Sequence, residues 1–159
     1  DFTYGFNIYL EYKNFDFTAF FQGVQGVDII SDLKKETDIW AGLNIGNLNK
    51  GRRLLSAWSV DNPTSDIPAL TLSDNNNEKR VSSYWVENGS YLKLRTIQLG
   101  YNFPQSIASK LSMQRLRMYV SAQNLFTIKS SSFTGLDPEN PNYGYPIPLN
   151  LTFGLNVTF

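Results

Sequence analysis

Apolar and polar residues alternate one by one along five stretches of this chain. The cleanest is residues 149–159, where Leu149, Leu151, Phe153, Leu155, Val157 and Phe159 hold every odd position and Asn150, Thr152, Gly154, Asn156 and Thr158 every even one. Successive side chains of a strand point to opposite faces, so such a segment has one apolar wall and one polar wall. Residues 2–12 repeat the pattern, with Phe2, Tyr4, Phe6, Ile8, Leu10 and Tyr12 on one side. A two-residue turn at Lys13-Asn14 leads into residues 15–22, where Phe15, Phe17, Ala19 and Phe21 oppose Asp16, Thr18, Phe20 and Gln22. Aromatic and β-branched residues dominate both arms, as a hairpin requires. In residues 91–103, Ile97, Leu99, Tyr101 and Phe103 alternate with Thr96, Gln98, Gly100 and Asn102. Continued upstream without a break, that parity puts Lys93 and Arg95 on the apolar face. Pro104 ends the strand, because it has no N–H to give a ladder. Residues 116–126 place Leu116, Met118, Val120 and Ala122 on one face and Arg117, Tyr119, Ser121 and Gln123 on the other.

The connections are of unequal length. Residues 23–90 are polar, aperiodic and broken by Gly, Pro and a run of Asn at 75–77, with short helical turns expected at 36–40 and 52–58. Residues 105–113 read as a helical turn, and residues 127–148 as a loop rich in proline and aromatics. If the chain's end is periplasmic, the two long connections, 23–90 and 127–148, fall outside the cell and the two short ones inside, as outer-membrane barrels arrange them. Such strands need only ~9–11 residues to cross when tilted. Five strands ~4.8 Å apart with an apolar band ~25 Å tall expose about 600–800 Å² of apolar wall. The largest patch on a soluble monomer is ~300–600 Å², so lipid or a second sheet must cover the wall. The expected fold class is all-β: five antiparallel strands of a transmembrane β-barrel with long extracellular loops. The competing fold is a soluble β-sandwich carbohydrate-binding module with loop aromatics as its platform.

Composition removes several chemistries. The chain has 159 residues, no Cys and no His, which excludes thiolate nucleophiles, imidazole or thiolate metal sites and the commonest general base. Basic and acidic residues balance at 14 each, so no positive field draws nucleic acid. No Asp or Glu pair is fixed by spacing on one rigid element as glycosidases require, so no enzyme and no cofactor is expected. No apolar run is long enough for a membrane-spanning helix. Alternation is already under way at Phe2, with no leader before it, so the chain is expected to be the C-terminal part of something longer.

Specific stretches carry a resemblance. Glu87-Asn88-Gly89-Ser90-Tyr91-Leu92-Lys93-Leu94-Arg95-Thr96-Ile97-Gln98-Leu99-Gly100-Tyr101-Asn102-Phe103-Pro104 and Leu116-Arg117-Met118-Tyr119-Val120-Ser121-Ala122-Gln123-Asn124-Leu125-Phe126-Thr127 resemble the SusC/RagA family of TonB-linked outer-membrane proteins. So do Gly135-Leu136-Asp137-Pro138-Glu139, Tyr145-Pro146 and the ending Phe153-Gly154-Leu155-Asn156-Val157-Thr158-Phe159, and Phe15–Gly23 is similar to the preceding hairpin. The resemblance implies a plugged barrel of about 22 strands, importing glycans, oligosaccharides or peptides across the outer membrane of Bacteroidetes-type bacteria. It implies as partners the remaining strands and plug, a SusD-like surface lipoprotein acting as lid, and the TonB complex, which acts through regions this chain lacks. It also implies that Phe153, Leu155, Val157 and Phe159 form the C-terminal signal read by the barrel-assembly machinery.

Other candidate roles follow from position. Phe2 and Tyr4 at one end of the strands, and Tyr12, Tyr101 and Phe103 at the other, suit aromatic girdles at the lipid interface. Lys93 and Arg95, on the outward face, either meet lipopolysaccharide phosphates or form a solvated strand end. Trp40, Trp58, Tyr84, Trp85, Tyr143 and Tyr145 lie in the long loops, where flat rings either contact substrate or lid or pin the loops to one another. Asp74, Asn76 and Glu78 alternate oxygen side chains as calcium loops do, but Lys79 stands where such a loop needs Gly. Asp137 and Glu139 are a similar, thinner pair. A solvated turn is the plainer reading of both.

Overall fold

The computed structural model describes residues 1–38, 50–71, 77, 80–142 and 144–159, with backbone alone at 36–38. The chain divides into two compact units: a sheet unit of residues 1–27, 89–130 and 147–159, and a loop unit of residues 28–88 and 131–146.

The sheet unit is one five-stranded antiparallel sheet. Its strands are β1 (Phe2–Tyr12), β2 (Phe15–Gln25), β5 (Tyr91–Asn102), β6 (Arg115–Lys129) and β7 (Asn150–Thr158), in spatial order β1-β2-β5-β6-β7. The expected all-β antiparallel fold is the one observed. The β1–β2 hairpin is fully in register from Phe2 opposite Gln25 to Tyr12 opposite Phe15. Its turn is closed by Lys13 in the left-handed region, φ 55°. Between β5 and β6 the chain turns through a short helix, α2 (Gln105–Ala108), and a 3₁₀ turn at Ser109–Leu111. Residues opposite one another share a face. One face therefore carries Phe6, Ile8, Leu10, Phe15, Leu99, Val120, Leu151, Phe153 and Leu155, all exposed. A sandwich would cover that face. The other sheet among the described residues is a ribbon of two three-residue strands, so the sandwich expectation is set aside. No described helix is long and apolar enough to cross a membrane, which leaves crossing by strands open.

Strict alternation fails at one place in β5, and the failure moves two charges. Against β2 the pairing passes from Phe20 opposite Thr96 to Phe21 opposite Leu94, so Arg95 is an extra residue. Against β6 it passes from Thr96–Gln123 to Leu94–Phe126, leaving Asn124 and Leu125 opposite Arg95, with Asn124 at φ 56°. An inserted residue reverses the parity of everything beyond it. Leu94 thus joins Phe21 on the apolar face, while Lys93, paired with Gln22 and Thr127, lies on the polar one. Arg95 Nε donates to Gln22 Oε1 at 3.0 Å, also toward the polar face. Lys93 is 0% exposed, its ammonium 5.7 Å from the centroid of the Tyr91 ring. The expected outward contact of Lys93 and Arg95 with lipopolysaccharide is therefore wrong.

The loop unit is less regular. It holds β3 (Asp28–Ile30) paired with β4 (Val86–Asn88), the helix α1 (Asp32–Asp38), and 3₁₀ turns at Arg52–Ser56 and Ser83–Trp85. The helical turn expected at 36–40 is met over 36–38 by α1, which starts four residues earlier, while 39–40 lie outside the described residues; the β3–β4 ribbon lies in a stretch read as aperiodic. Three-residue strands are too short to show a period. Leu54, Ala57 and Ile67 form a small buried cluster, closed by the Trp58 N–H donating to the Ile67 carbonyl at 2.8 Å.

Candidate functional site

The polar face of the sheet is built around a charge pair that spans three strands. Asp16 on β2 accepts from Arg117 on β6 through both oxygens, with Nε to Oδ2 at 2.9 Å and Nη2 to Oδ1 completing the fork. Paired N–H bonds to a carboxylate are among the stronger charge-assisted contacts. Asn102 on β5 donates to Asp16 Oδ2 at 3.0 Å and accepts from Arg115 at 3.1 Å. The pair has to cross β5, and it does so at Gly100. A Cβ there would sit 2.4 Å from Arg117 Nη2 and 2.5 Å from the Asp16 oxygens. The Arg117 guanidinium also lies 5.3 Å from the Tyr119 ring centroid, and that ring covers Gly154 on β7, whose Cβ would fall 2.2 Å from it. Tyr9 donates to Glu11 on the same face of β1. The polar wall is thus a connected network rather than scattered polar residues.

The apolar face offers different chemistry: exposed hydrocarbon and aromatic rings, with the Tyr101 hydroxyl at its end accepting from the Asn14 amide at 3.4 Å. At one end Phe15 and Tyr101 meet at 4.8 Å between centroids, and Tyr101 and Phe103 edge to face at 5.1 Å. Tyr12 is opposite Phe15 and exposed. At the other end Phe2 and Tyr4 lie 5.6 Å apart. The sequence-predicted girdle residues are brought together at each end, and Phe15 joins them. Its place opposite Tyr12 was legible once the two-residue turn was assigned. On β7, Phe153, Leu155 and Val157 point to the same exposed face, with Phe159 exposed just beyond the strand.

In the loop unit the organising groups are charged and buried. Glu87 on β4 is 6% exposed. It accepts from the Thr134 N–H at 3.0 Å and from Thr134 Oγ1 at 3.0 Å, and pairs with Lys34 of α1 at 3.6 Å. Lys34 donates to the Tyr84 carbonyl and lies 4.2 Å from the Tyr84 ring centroid. The Asp32 N–H donates to the Pro141 carbonyl at 3.2 Å, a second tie between the two loop segments. Sequence reading missed this network. Its signal was a lone Glu inside the short apolar-flanked stretch Trp85-Val86-Glu87, whose partners are remote in the chain.

The loop aromatics separate into different situations. Trp85 is 1% exposed, its Nε1 donating to the Arg80 carbonyl at 2.9 Å, and it packs edge on against Tyr84 at 4.8 Å. A ring so enclosed has no face for a ligand, so Trp85 is a packing residue and not a contact residue. Tyr84 is occupied by Lys34 and Trp85. Trp58 is exposed, and Tyr145 is 96% exposed. Trp40, Tyr143 and the calcium candidates Asp74, Asn76 and Glu78 lie outside the described residues. Asp137 Oδ1 accepts from the Glu139 N–H at 2.9 Å and its carbonyl from the Asn140 N–H at 3.0 Å, which is a local turn. Among the described residues no group of acids is placed to hold a metal ion.

An antiparallel sheet with one exposed apolar face and one networked polar face is the architecture of a membrane barrel wall. Comparison with known proteins names the particular kind. Over its whole length the chain is 37% identical to TonB-dependent receptor P3 of Formosa agariphila, covering 16% of that protein, and 29% identical to the TonB-dependent receptor SusC of Bacteroides thetaiotaomicron, covering 15%. In structure it matches the RagAB peptide transporter with a TM-score of 0.78 and 31% identity, over 98% of this chain and 17% of the other. No family model matches. In sequence and fold the chain is thus similar to a segment of TonB-dependent receptors such as SusC and of the RagAB transporter, and spans about one sixth of the length of the relatives it matches.

Proposed function

We propose that the chain is part of the barrel wall of a TonB-dependent importer in the outer membrane, taking up glycans, oligosaccharides or peptides with a SusD-like surface lipoprotein. The observation that carries this is the two-faced sheet in a segment matched over its full length by receptors of that kind. The apolar face meets lipid and the Asp16–Arg117 face lines the lumen. Residues 23–90 and 127–148 are the extracellular loops, and the turns at Lys13-Asn14 and 103–114 are periplasmic. The outer edges of β1 and β7 pair with further strands of the same barrel, because an unpaired edge is a template for aggregation. The plug fills the lumen, and the TonB complex acts through regions outside these residues. Trp58 and Tyr145 remain proposed contacts to cargo or lid, and the aromatic clusters at Phe2–Tyr4 and at Tyr12, Phe15, Tyr101 and Phe103 are the girdles. The β7 residues Phe153, Leu155, Val157 and Phe159 are the proposed contact for the barrel-assembly machinery. The relatives are named as receptors and transporters, and the segment's role is transport rather than catalysis.

The test is uptake of labelled oligosaccharides and peptides by cells with and without the full-length receptor, together with co-purification of a surface lipoprotein. Loss of uptake of one cargo class on deletion is the expected result; unchanged uptake of every class defeats the reading.

A further inference from the structure

Two short turns lie side by side at one end of the sheet. The Asn102 N–H donates to the Asn14 carbonyl at 2.8 Å, and the Asn14 amide to the Tyr101 hydroxyl, tying the Lys13-Asn14 turn to the end of β5. Just beyond, α2 and the 3₁₀ turn make one short coil from Gln105 to Leu111. Ser112 ends it at φ 57°, and the Met113 N–H closes on the Ala108 carbonyl at 3.0 Å. Ala108 is the residue this coil buries. Ile107 and Leu111, four apart and so neighbours on one side of the coil, are left exposed. No strand alternation accounts for them. Tyr12, Phe15 and Phe159 are exposed at the same end, so the apolar surface does not stop with the ladder.

The second turn carries charge of one sign. Residues 103–116 hold Lys110 and Arg115 and no acid. Arg115 donates to Asn102 on the polar face. Lys110, three residues from Ile107, is exposed, and so is Lys13. The Lys13 ammonium lies 5.2 Å from the centroid of the Tyr12 ring, and Tyr12 belongs to the apolar face, so the charge stands on that side. Neither lysine has an ion-pair partner among the described residues. The acids at the adjoining strand ends are engaged elsewhere: Asp16 by Arg117, Glu11 by Tyr9. Exposed hydrocarbon beside ammonium groups on long stems is how an interfacial segment meets a bilayer, with the apolar side chains at the acyl boundary and the amines at the phosphates.

We propose that these two turns anchor the sheet to anionic phospholipid, with Ile107 and Leu111 entering the acyl boundary and Lys13 and Lys110 holding headgroup phosphates. The leaflet is the one facing the periplasm. This rests on the reading of the sheet as a barrel wall, and the test keeps the two apart.

The experiment puts a nitroxide label on the full-length receptor at Ile107→Cys, Leu111→Cys or Leu99→Cys, in mixed phosphatidylcholine and phosphatidylglycerol vesicles. Oxygen dissolves in hydrocarbon and a nickel chelate in water, so their relative effect on each label reads its surroundings. All three labels should favour oxygen. A second measurement compares the receptor's preference for spin-labelled phosphatidylglycerol over phosphatidylcholine. The double variant Lys13→Gln, Lys110→Gln should lose about fivefold or more of that preference, since one lysine near an anionic surface contributes about that factor. Lys13→Arg, Lys110→Arg keeps the charge and should keep the preference, which separates lost charge from lost folding. Labels at 107 and 111 that favour nickel, or that neither reagent reaches because protein covers them, overturn the anchor while an oxygen-favouring Leu99 label leaves the wall standing. An unchanged preference in the Gln variant overturns it too. A Leu99 label that favours nickel defeats the wall reading instead.

Discussion

The sheet and the loop unit solve the same problem by opposite means. In the sheet, backbone ladders along strands of nine to fifteen residues satisfy the polar groups of the main chain, and large apolar side chains stand exposed on one face. Among its described residues the loop unit has one ribbon, three residues long; its two segments are tied by the buried Glu87 through Thr134 and by the Asp32–Pro141 backbone bond, while the buried Lys34 and Trp85 pack within one of them. Regular structure distributes stability over many equivalent bonds. An irregular unit concentrates it in a few groups, each of which is costly to lose once buried. The Asp16–Arg117 pair sits between these extremes, a concentrated contact laid over a distributed ladder.

The sharpest way to break that contrast is Trp85→Ala. Removing a buried Trp costs ~3–5 kcal/mol. Hydrogen exchange on the full-length receptor should show residues 28–38, 80–88 and 131–142 losing protection while β1, β2 and β5 keep theirs. If the sheet loses protection equally, the two units are one cooperative body. Next comes Glu87→Ala, which leaves Lys34 buried beside a missing partner at ~3–5 kcal/mol. Limited proteolysis should then cut both loop segments, because Thr134 and Lys34 lose the same acceptor; cleavage confined to one segment would show that other contacts hold them together. Leu99→Arg probes the outer wall. At mid-bilayer a lipid-facing Arg costs ~2–4 kcal/mol in a barrel, and folding into bilayers of graded thickness should report that loss, whereas a solvent-facing Leu99 would give none. The smallest expected effect is Gly154→Ala, which pushes Tyr119 aside at ~1–3 kcal/mol. A midpoint shift in urea with an unchanged slope is expected, and no shift would mean that the ring relocates freely.

Much of the sheet was legible because its information is local. Period-two alternation names the strands, their faces and the turn at Lys13-Asn14, and the aromatic clusters at the strand ends follow from the resulting pairings. Strand ends are less visible. β2 runs on to Gln25 and β6 to Lys129, past the point where the alternation fades, because the neighbouring ladder carries them. The Arg95 bulge was hidden for a related reason. The residues on either side of it alternate acceptably in both registers, and only the pairing with Phe21 and Phe126 shows which one is used. The loop unit was legible only as a departure from pattern. Trp85 and the exposed Trp58 both sit in short aperiodic stretches with small or apolar neighbours, Tyr84 and Val86 beside one and Ala57 and Ser59 beside the other, so local sequence does not say which is buried.

By itself, then, the sequence determined an antiparallel sheet with an apolar and a polar face, the exclusion of thiol and imidazole chemistry, and a kinship carried by runs such as Tyr91–Pro104. Tertiary structure decided which way Lys93 and Arg95 point, that Asp16 reaches Arg117 across Gly100, and that Glu87 meets Lys34 and Thr134. The division has one physical cause. Alternation is set by each residue's own place in an extended backbone, whereas a buried charge is defined by partners up to 101 positions away.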